Sequence, residues 1–231
     1  MILKAPPFKI LYQDNHLIAV YKPSGLATQA DAAGNPSLLD RTKQWIKIEH
    51  HKHGNVFLGL VHRLDKPVAG VVLFAKTSKA ASRLSKQFRE RTTQKIYRAV
   101  INGTPEQASC KLTHYLRKET TLKATVFPRP TPGAKKAVLS YALVEKLPTT
   151  SILEVTLETG RFHQIRAQLA FLGNPILGDI KYGARFPLPD RQIALYARKL
   201  IVQHPISGKE ITLESPPPPG WPFIEGEMSH G

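Results

Sequence analysis

The sequence predicts an α+β fold with a mixed, largely antiparallel sheet and flanking helices. Two observations favour this class. Short apolar segments of strand length are numerous, whereas only three segments carry a helical pattern. The strand-like segments also follow one another in consecutive groups instead of alternating with helices. With 231 residues, 42% of them hydrophobic, the chain is long enough for one well-buried core but short for two large domains.

The first part of the chain is predicted to hold a hairpin, two helices and two buried strands. The segments "FKILY" and "LIAVY" flank Asp14 and Asn15, as in a β-hairpin. Ser37 is placed to cap a helix that reaches about Glu49. "FLGLVH" and "GVVLFAK" have the composition of buried strands. "SKAASRLSKQFRER" predicts an amphipathic helix that begins with a capping serine, Ser78, and turns its basic side chains to solvent.

The second part is predicted to contain strands around a single helix. "KIYRAVIN", "KKAVLSYALVE" and "SILEVTLET" have the pattern of strands, and "ALYARKLIVQ" with "KEITLE" form a hairpin across "PISG". The helix is expected from about Phe162 to Leu172, with Gly173 as a left-handed stop.

The charge of the chain favours a polyanionic partner. Lys and Arg total 33 against 17 Asp and Glu, a formal net charge of +16, and nucleic acid is the common partner of such proteins. The sequence shows neither a polybasic tail for a membrane surface nor about 20 consecutive apolar residues for a membrane span. A single cysteine, Cys110, excludes a disulfide framework. We predict a cytoplasmic protein with no membrane partner.

Asp65 is the first candidate for chemistry. It is the one acidic residue of "VHRLDKPVAG" and has basic neighbours. If this segment is extended, alternation places Arg63 and Asp65 on one face and His62 and Leu64 on the other. Two interpretations remain open at this point: an aspartate that caps a turn before the Lys-Pro pair, or a carboxylate that reacts.

The second candidate is the motif "LETGRFHQIRAQLAFLGNPILGDIKYG". Arg161 immediately precedes the predicted helix and Arg166 lies near its start. Arginines beside a helix N-terminus form an anion site, and the anion is either an RNA phosphate or the carboxylate of Asp65. The alternative is a solvated basic helix face. The glycine-rich end of the motif is expected to be a structured loop and not a phosphate-binding fingerprint.

Four blocks of the sequence together resemble the RluA branch of the RNA pseudouridine synthases. They are "DNHLIAVYKPSGL", "HRLD" followed by a glycine five residues after the aspartate and "GVVLFAKT", "QKIYRAVINGT", and the long arginine motif. The blocks occur in the family's order over roughly residues 8–215. The family's motif usually reads "HRLD-x-x-TSG", whereas Val68 and Ala69 replace the hydroxyl residues here.

The resemblance implies a fold, an activity and residue roles. It implies the pseudouridine synthase fold with a central RNA-binding cleft, as a single catalytic domain over residues 1–231 without a separate N-terminal RNA-binding domain. Asp65 would be the catalytic nucleophile, Arg166 its pairing partner and Tyr97 the residue that packs on the target base. The residues expected to bind RNA are Arg63, Lys86, Arg89, Arg161 and His163.

The implied reaction isomerises uridine to pseudouridine in structured RNA, either transfer RNA or ribosomal RNA. A carboxylate can carry this chemistry without a metal, a nucleotide or another cofactor, so we expect none. We also expect a monomer. One alternative is a non-catalytic RNA-binding or ribosome-assembly protein on the same fold. A weaker alternative is a metal-dependent nuclease, suggested only by nine histidines and by "HHKH" at 50–53.

Overall fold

The computed structural model describes residues 8–30 and 34–222. They divide into two compact units. The first unit comprises residues up to Thr93 together with Arg198–Pro216, and the second comprises Gln94–Ala197 together with the residues after Pro216. The single catalytic domain and its central cleft stay predictions.

The first unit begins with the predicted hairpin. Strands β1 (Ile10–Gln13) and β2 (Leu17–Lys22) pair antiparallel. The Asp14 carboxylate fixes the turn between them, because one of its oxygens accepts the backbone N–H groups of His16 and Leu17, each at 2.7 Å.

A buried strand continues this sheet. Strand β2 pairs antiparallel with β4 (Ala69–Ala75), in which every residue is buried, and β3 (Gly59–Leu60) also pairs with β4. The prediction of a strand over "FLGLVH" is therefore wrong except for the two residues of β3. Residues 61–65 lie outside any strand.

Two helices complete the first part of the chain. Helix α1 (Leu38–Glu49) has the predicted cap, since Ser37 and Asp40 form a reciprocal capping box. Helix α2 (Ser78–Glu90) is capped by Thr77, whose hydroxyl accepts the Ala80 N–H at 3.2 Å. The prediction that Ser78 caps α2 is wrong by one residue, because Thr77 has the extended backbone that a cap requires.

The second unit is built on an antiparallel sheet of five strands in the order β5-β9-β8-β6-β7. Their bounds are β5 (Gln94–Asn102), β6 (Ser109–Lys118), β7 (Ala124–Phe127), β8 (Lys135–Lys146) and β9 (Thr150–Leu157). Strands β5, β8 and β9 confirm the predictions. Strands β6 and β7 were not predicted, because β6 buries only Leu112 and Leu116 and its polar residues conceal the strand pattern.

Helix α3 (Gln164–Phe171) is shorter than predicted. His163 has a φ of 53°, in the left-handed region, so the right-handed helix cannot begin before Gln164. The predicted stop at Gly173 is confirmed by its φ of 82°. Gln164 and Arg166 are buried, so the alternative of a solvated basic helix face is wrong for this helix.

The chain then forms the predicted C-terminal hairpin. Strands β10 (Leu195–Gln203) and β11 (Glu210–Glu214) pair antiparallel. Residues 8–30 and 34–222 combine extensive antiparallel strand pairing with three α-helices, which confirms the α+β class. Within the described ranges, no helix has the length and apolar composition needed to cross a membrane.

Candidate active site

Asp65 lies where an extended segment ends in a tight turn. Its backbone carbonyl accepts the N–H of Val68 at 3.0 Å, and its side chain is partly exposed. Arg63 is exposed and Leu64 is buried, which agrees with the predicted alternation. His62 is anchored beside them, because its Nε2 accepts the Leu73 N–H at 2.9 Å. The carboxylate is thus carried by a backbone that β4 holds in place.

Side chains from the segment after β2 hold the same turn. The Thr28 hydroxyl donates to the carbonyl of Leu64 at 2.9 Å and accepts the N–H of Leu64 at 3.2 Å. The Ser24 hydroxyl donates to the carbonyl of Pro67 at 2.8 Å. Residues 61–65 form no strand, so these side-chain bonds supply the hydrogen-bond partners that strand pairing would give. They satisfy the backbone groups of Leu64 and Pro67 on either side of Asp65.

Lys22 is a residue of the Asp65 turn's surroundings that the sequence analysis missed. It is the last residue of β2, and its side chain is fully buried. Its Nζ donates to three carbonyl oxygens, those of Pro23 at 3.0 Å, Leu26 at 2.7 Å and Lys66 at 3.1 Å. An ammonium has three N–H donors, so the three acceptors match the protonated form. Lys22 therefore holds the backbone carbonyl of Lys66, the residue that follows Asp65.

Lys22 and Asp65 also interact electrostatically. Burial lowers the pKa of Lys22 to about 7, and the negative charge of Asp65 acts in the opposite direction. A lysine at the end of an apolar strand, directly before "PSG", is the signal in the sequence that could have indicated this residue.

The departure from the family motif lies in the core. Val68 and Ala69 are 3% and 1% exposed, so apolar side chains suit both positions. The glycine that follows, Gly70, has a φ of 125°, which side-chain-bearing residues rarely adopt. The turn into β4 therefore requires a glycine at position 70, which explains why a glycine stands five residues after Asp65.

The basic residues predicted on α2 face solvent. Lys86 and Arg89 are exposed, and Lys86 has only a long ion pair with Glu90, 3.9 Å between Nζ and Oε1. Their contact with RNA stays a prediction, as does that of Arg63.

Tyr97 and Arg166 belong to the second unit. Tyr97 is half-buried on β5, opposite Val155 of β9. Arg166 is buried on α3 and forms a bidentate ion pair with Asp179. Its guanidinium carbon also lies 5.1 Å from the centre of the Tyr182 ring. Asp179 comes from "GDIKYG", where the sequence indicated only a structured loop. The pairing of Arg166 with Asp65 stays a prediction.

His163 is held as a neutral imidazole. The Tyr182 hydroxyl accepts the Ala124 N–H at 2.7 Å and is hydrogen-bonded to Nδ1 of His163 at 2.9 Å. Burial, followed by the nearby positive charge of Arg166, lowers the pKa of His163 to about 3. Any contact of His163 with RNA therefore uses an uncharged ring.

Arg161 is positioned by two hydrogen bonds. Its Nε donates to the carbonyl of Lys136 at 2.9 Å, and its backbone N–H donates to the side-chain oxygen of Gln164 at 2.9 Å. The side chain lines a cavity of the second unit.

The histidines of "HHKH" do not form a metal site in this structure. Residues 50–53 are all exposed. Across the part of the chain that the structure describes, no three histidine, cysteine, aspartate or glutamate side chains could hold a metal ion together. The nuclease alternative therefore has no structural support in these residues.

The turn around Asp65, the strand that carries Tyr97 and the start of α3 all fall within one family match. The family model for RNA pseudouridylate synthase matches residues 16–171. The chain belongs to this family. The predicted resemblance is confirmed, and pseudouridine synthases from bacteria and from human are similar to it.

Among bacterial members of the synthase family, ribosomal large subunit pseudouridine synthase D of Nitrosomonas europaea is 33% identical, over 93% of this chain and 63% of that protein. An uncharacterised RNA pseudouridine synthase of Bacillus subtilis is 33% identical, over 90% of this chain and 68% of its own length. Ribosomal large subunit pseudouridine synthase C of Rickettsia felis is 34% identical, over 89% of this chain and 66% of that protein. The chain thus spans about two thirds of these relatives.

A solved structure agrees with the assignment. Human RNA pseudouridylate synthase domain containing 4 superposes with a TM-score of 0.77 at 26% identity, over 91% of this chain and 89% of that one. The pseudouridine synthase fold is therefore confirmed for the chain.

Proposed function

We propose that this protein isomerises uridine to pseudouridine in RNA with Asp65 as the catalytic carboxylate. The observation that carries the proposal is the turn that presents Asp65: it lies within the family match and is held on both sides by side chains from residues 22–28. A partly exposed carboxylate on a rigid turn suits nucleophilic catalysis.

The reaction conserves all atoms of the nucleotide. The bond between N1 of uracil and C1′ of ribose breaks, the base turns, and a bond between C5 and C1′ forms. C5 then loses its proton, and N1 gains one. An ionised Asp65 supplies the electron pair that attacks the nucleotide or removes its proton. Lys22 supports the ionised form, because a positive charge nearby favours a carboxylate over a carboxylic acid.

Arg166 and Tyr97 complete the proposed catalytic set. A guanidinium has five N–H donors, so the contact with Asp179 is compatible with Asp65 as a second carboxylate partner. Tyr97 would stack on uracil after the target nucleotide leaves its helix or loop, and Arg63 would occupy the space near the flipped nucleotide.

The proposed substrate is ribosomal RNA. The names of the Nitrosomonas and Rickettsia relatives refer to the large ribosomal subunit, which favours ribosomal RNA over transfer RNA. A net charge of +16 and the exposed basic residues Lys86 and Arg89 support binding to RNA phosphates without sequence recognition. We further propose that the protein acts as a cytoplasmic monomer without a cofactor.

The test maps pseudouridines in total RNA from cells that lack the protein. Complementation with the wild type should restore one or a few pseudouridines, and complementation with Asp65→Asn should restore none. Purified Asp65→Asn should bind the target RNA within a few fold of the wild type, because a carboxylate attracts no polyanion. Substantial turnover by Asp65→Asn would contradict the assignment. An unchanged pseudouridine map without the protein would favour the non-catalytic alternative.

A further inference from the structure

A cavity of about 410 Å³ in the second unit is lined by both apolar and basic residues. The apolar residues are Leu116, Ala124 and Phe162. The basic residues are Arg117, Lys118, Lys135 and Arg161. We call this cavity the basic pocket. Its volume lies in the range typical of sites for small organic ligands.

Three of the four cations lack an acidic partner. Arg117 is paired with Glu119, 2.9 Å between Nε and Oε1. Among residues 8–30 and 34–222, no carboxylate lies within ion-pair distance of Lys118, Lys135 or Arg161. The basic pocket therefore concentrates positive charge, which favours an anionic ligand.

Phe162 forms a rigid aromatic platform in the pocket. One face of its ring stacks on His163, with 3.8 Å between ring centres and 18° between ring planes. Because the Tyr182 hydroxyl holds His163 in place, Phe162 is supported from behind. The ammonium of Lys118 lies over the ring, 4.9 Å from its centre, on the face that His163 does not cover. A base that stacks on Phe162 therefore takes the place of this ammonium, which is then free to contact the phosphodiester.

Arg161 is also positioned before any ligand arrives. Its Nε donates to the Lys136 carbonyl, and the residue lines the pocket. An arginine held in this way loses little side-chain entropy when it binds a phosphate.

We infer that the basic pocket binds one nucleotide of the RNA substrate other than the reacting uridine. The base stacks on Phe162, and the phosphodiester contacts Arg161, Lys135 and Lys118. Stacking on an aromatic ring beside cations that track the backbone is how proteins hold single-stranded nucleic acid. The inference rests on the proposed function, because it takes RNA as the substrate. The pocket would select RNA that offers an unpaired nucleotide in addition to the target uridine.

Neighbouring lysines on β8 provide a matched comparison. Lys135 lines the pocket, whereas Lys136 is equally exposed and does not line it. We would measure binding of a labelled large-subunit ribosomal RNA transcript in the Asp65→Asn background, so that no turnover is required. Lys135→Ala should weaken binding about fivefold or more, and Lys136→Ala less than twofold. Equal losses would overturn the inference, since they would indicate a diffuse electrostatic effect.

Phe162→Leu tests the stacking platform separately. It keeps an apolar side chain and should weaken RNA binding severalfold without changing its salt dependence, with an unaltered melting temperature as the control for folding. Unchanged affinity would overturn the role of Phe162. Uridine monophosphate is the second probe: displacement of the RNA by micromolar concentrations of it would also overturn the inference, since the pocket would then be a mononucleotide site.

The outcome is separable from that of the proposed function. If wild-type protein forms no pseudouridine while Lys135→Ala still weakens binding more than Lys136→Ala, the isomerase proposal fails and the pocket stands. If wild-type protein isomerises uridine while the two lysine variants bind RNA alike, the isomerase proposal stands and the pocket inference fails.

Discussion

The guanidinium of Arg166 donates two parallel hydrogen bonds to the carboxylate of Asp179, from Nε to Oδ2 at 2.7 Å and from Nη2 to Oδ1 at 2.8 Å. Both side chains are buried, at 6% and 1% exposure. A bidentate pair fixes the plane of the guanidinium as well as its position. Asp179 comes directly before the 3-10 helix Ile180–Tyr182, so this short element determines how α3 presents its arginine.

Asp179→Asn should therefore impair both stability and catalysis. Asparagine keeps the shape but removes the negative charge from the bidentate pair with the buried Arg166, a change that costs about 3–5 kcal/mol of the free energy of unfolding. We expect the single-turnover rate at saturating enzyme to fall more than the RNA affinity. Denaturant unfolding and single-turnover kinetics measure the two effects. The control is Glu90→Gln, which removes an exposed ion pair and should cost less than about 1 kcal/mol. Equal effects of the two variants would contradict the role of Asp179.

Lys22 should make the free energy of unfolding depend on pH. Its pKa is lowered to about 7 in the folded protein, from 10.5. Between these values the unfolded chain binds a proton that the folded protein does not, so stability contributed by Lys22 rises with pH from about 7 to about 10. The slope is at most about 1.4 kcal/mol per pH unit.

The measurement compares the wild type with Lys22→Met across this pH range. As the pH rises, the free energy of unfolding of the wild type should increase relative to that of Lys22→Met. Lys79→Met removes an exposed lysine and should give a difference that is independent of pH. A constant difference for Lys22→Met would mean that its three carbonyl partners keep Lys22 charged throughout.

Basic residues on α2 and Arg166 should affect different steps. Lys86→Ala and Arg89→Ala should weaken RNA binding uniformly across sequences and reduce the slope of log affinity against log salt by about 1 each. Arg166→Ala should lower the single-turnover rate more than the affinity, because its proposed partner is Asp65. Affinities at several salt concentrations, combined with single-turnover rates, separate the two classes. A loss of affinity alone in Arg166→Ala would make Arg166 a phosphate contact instead.

Local patterns predicted most of the secondary structure, and long-range contacts account for what they missed. Strand β5 and its neighbours follow from apolar segments of the right length, whereas β6 was concealed by its polar residues. The start of α3 depends on the left-handed backbone of His163, which no periodicity reveals.

The candidate site shows the same division. Asp65 and Arg166 stand in motifs that can be read directly from the sequence. Lys22 acquires its role from a carbonyl that lies 44 residues away, and Asp179 from an arginine that lies 13 residues away. Such contacts are set by the fold and not by neighbouring residues, so a single sequence can mark a residue such as Lys22 but does not reveal its partner.

Val68 and Ala69 provide the last prediction, because the motif of the RluA branch usually has hydroxyl residues at these positions. A hydroxyl near Asp65 would lower the pKa of the carboxyl group and restrict its rotamers, an effect of about 1 kcal/mol. Here both residues are buried, and the turn is held from the other side by residues 22–28. We therefore expect an active enzyme that does not require the hydroxyls.

The double variant Val68→Thr, Ala69→Ser should change the single-turnover rate by less than about tenfold, equivalent to about 1.4 kcal/mol in the activation free energy. It should also lower the free energy of unfolding, because each buried hydroxyl without a partner costs about 1–3 kcal/mol. Val71→Thr, in the buried interior of β4, is the matched control for stability and should leave the rate unchanged. A gain in rate far above tenfold would mean that the natural protein is an impaired catalyst. The RNA-binding alternative would then be favoured over the isomerase.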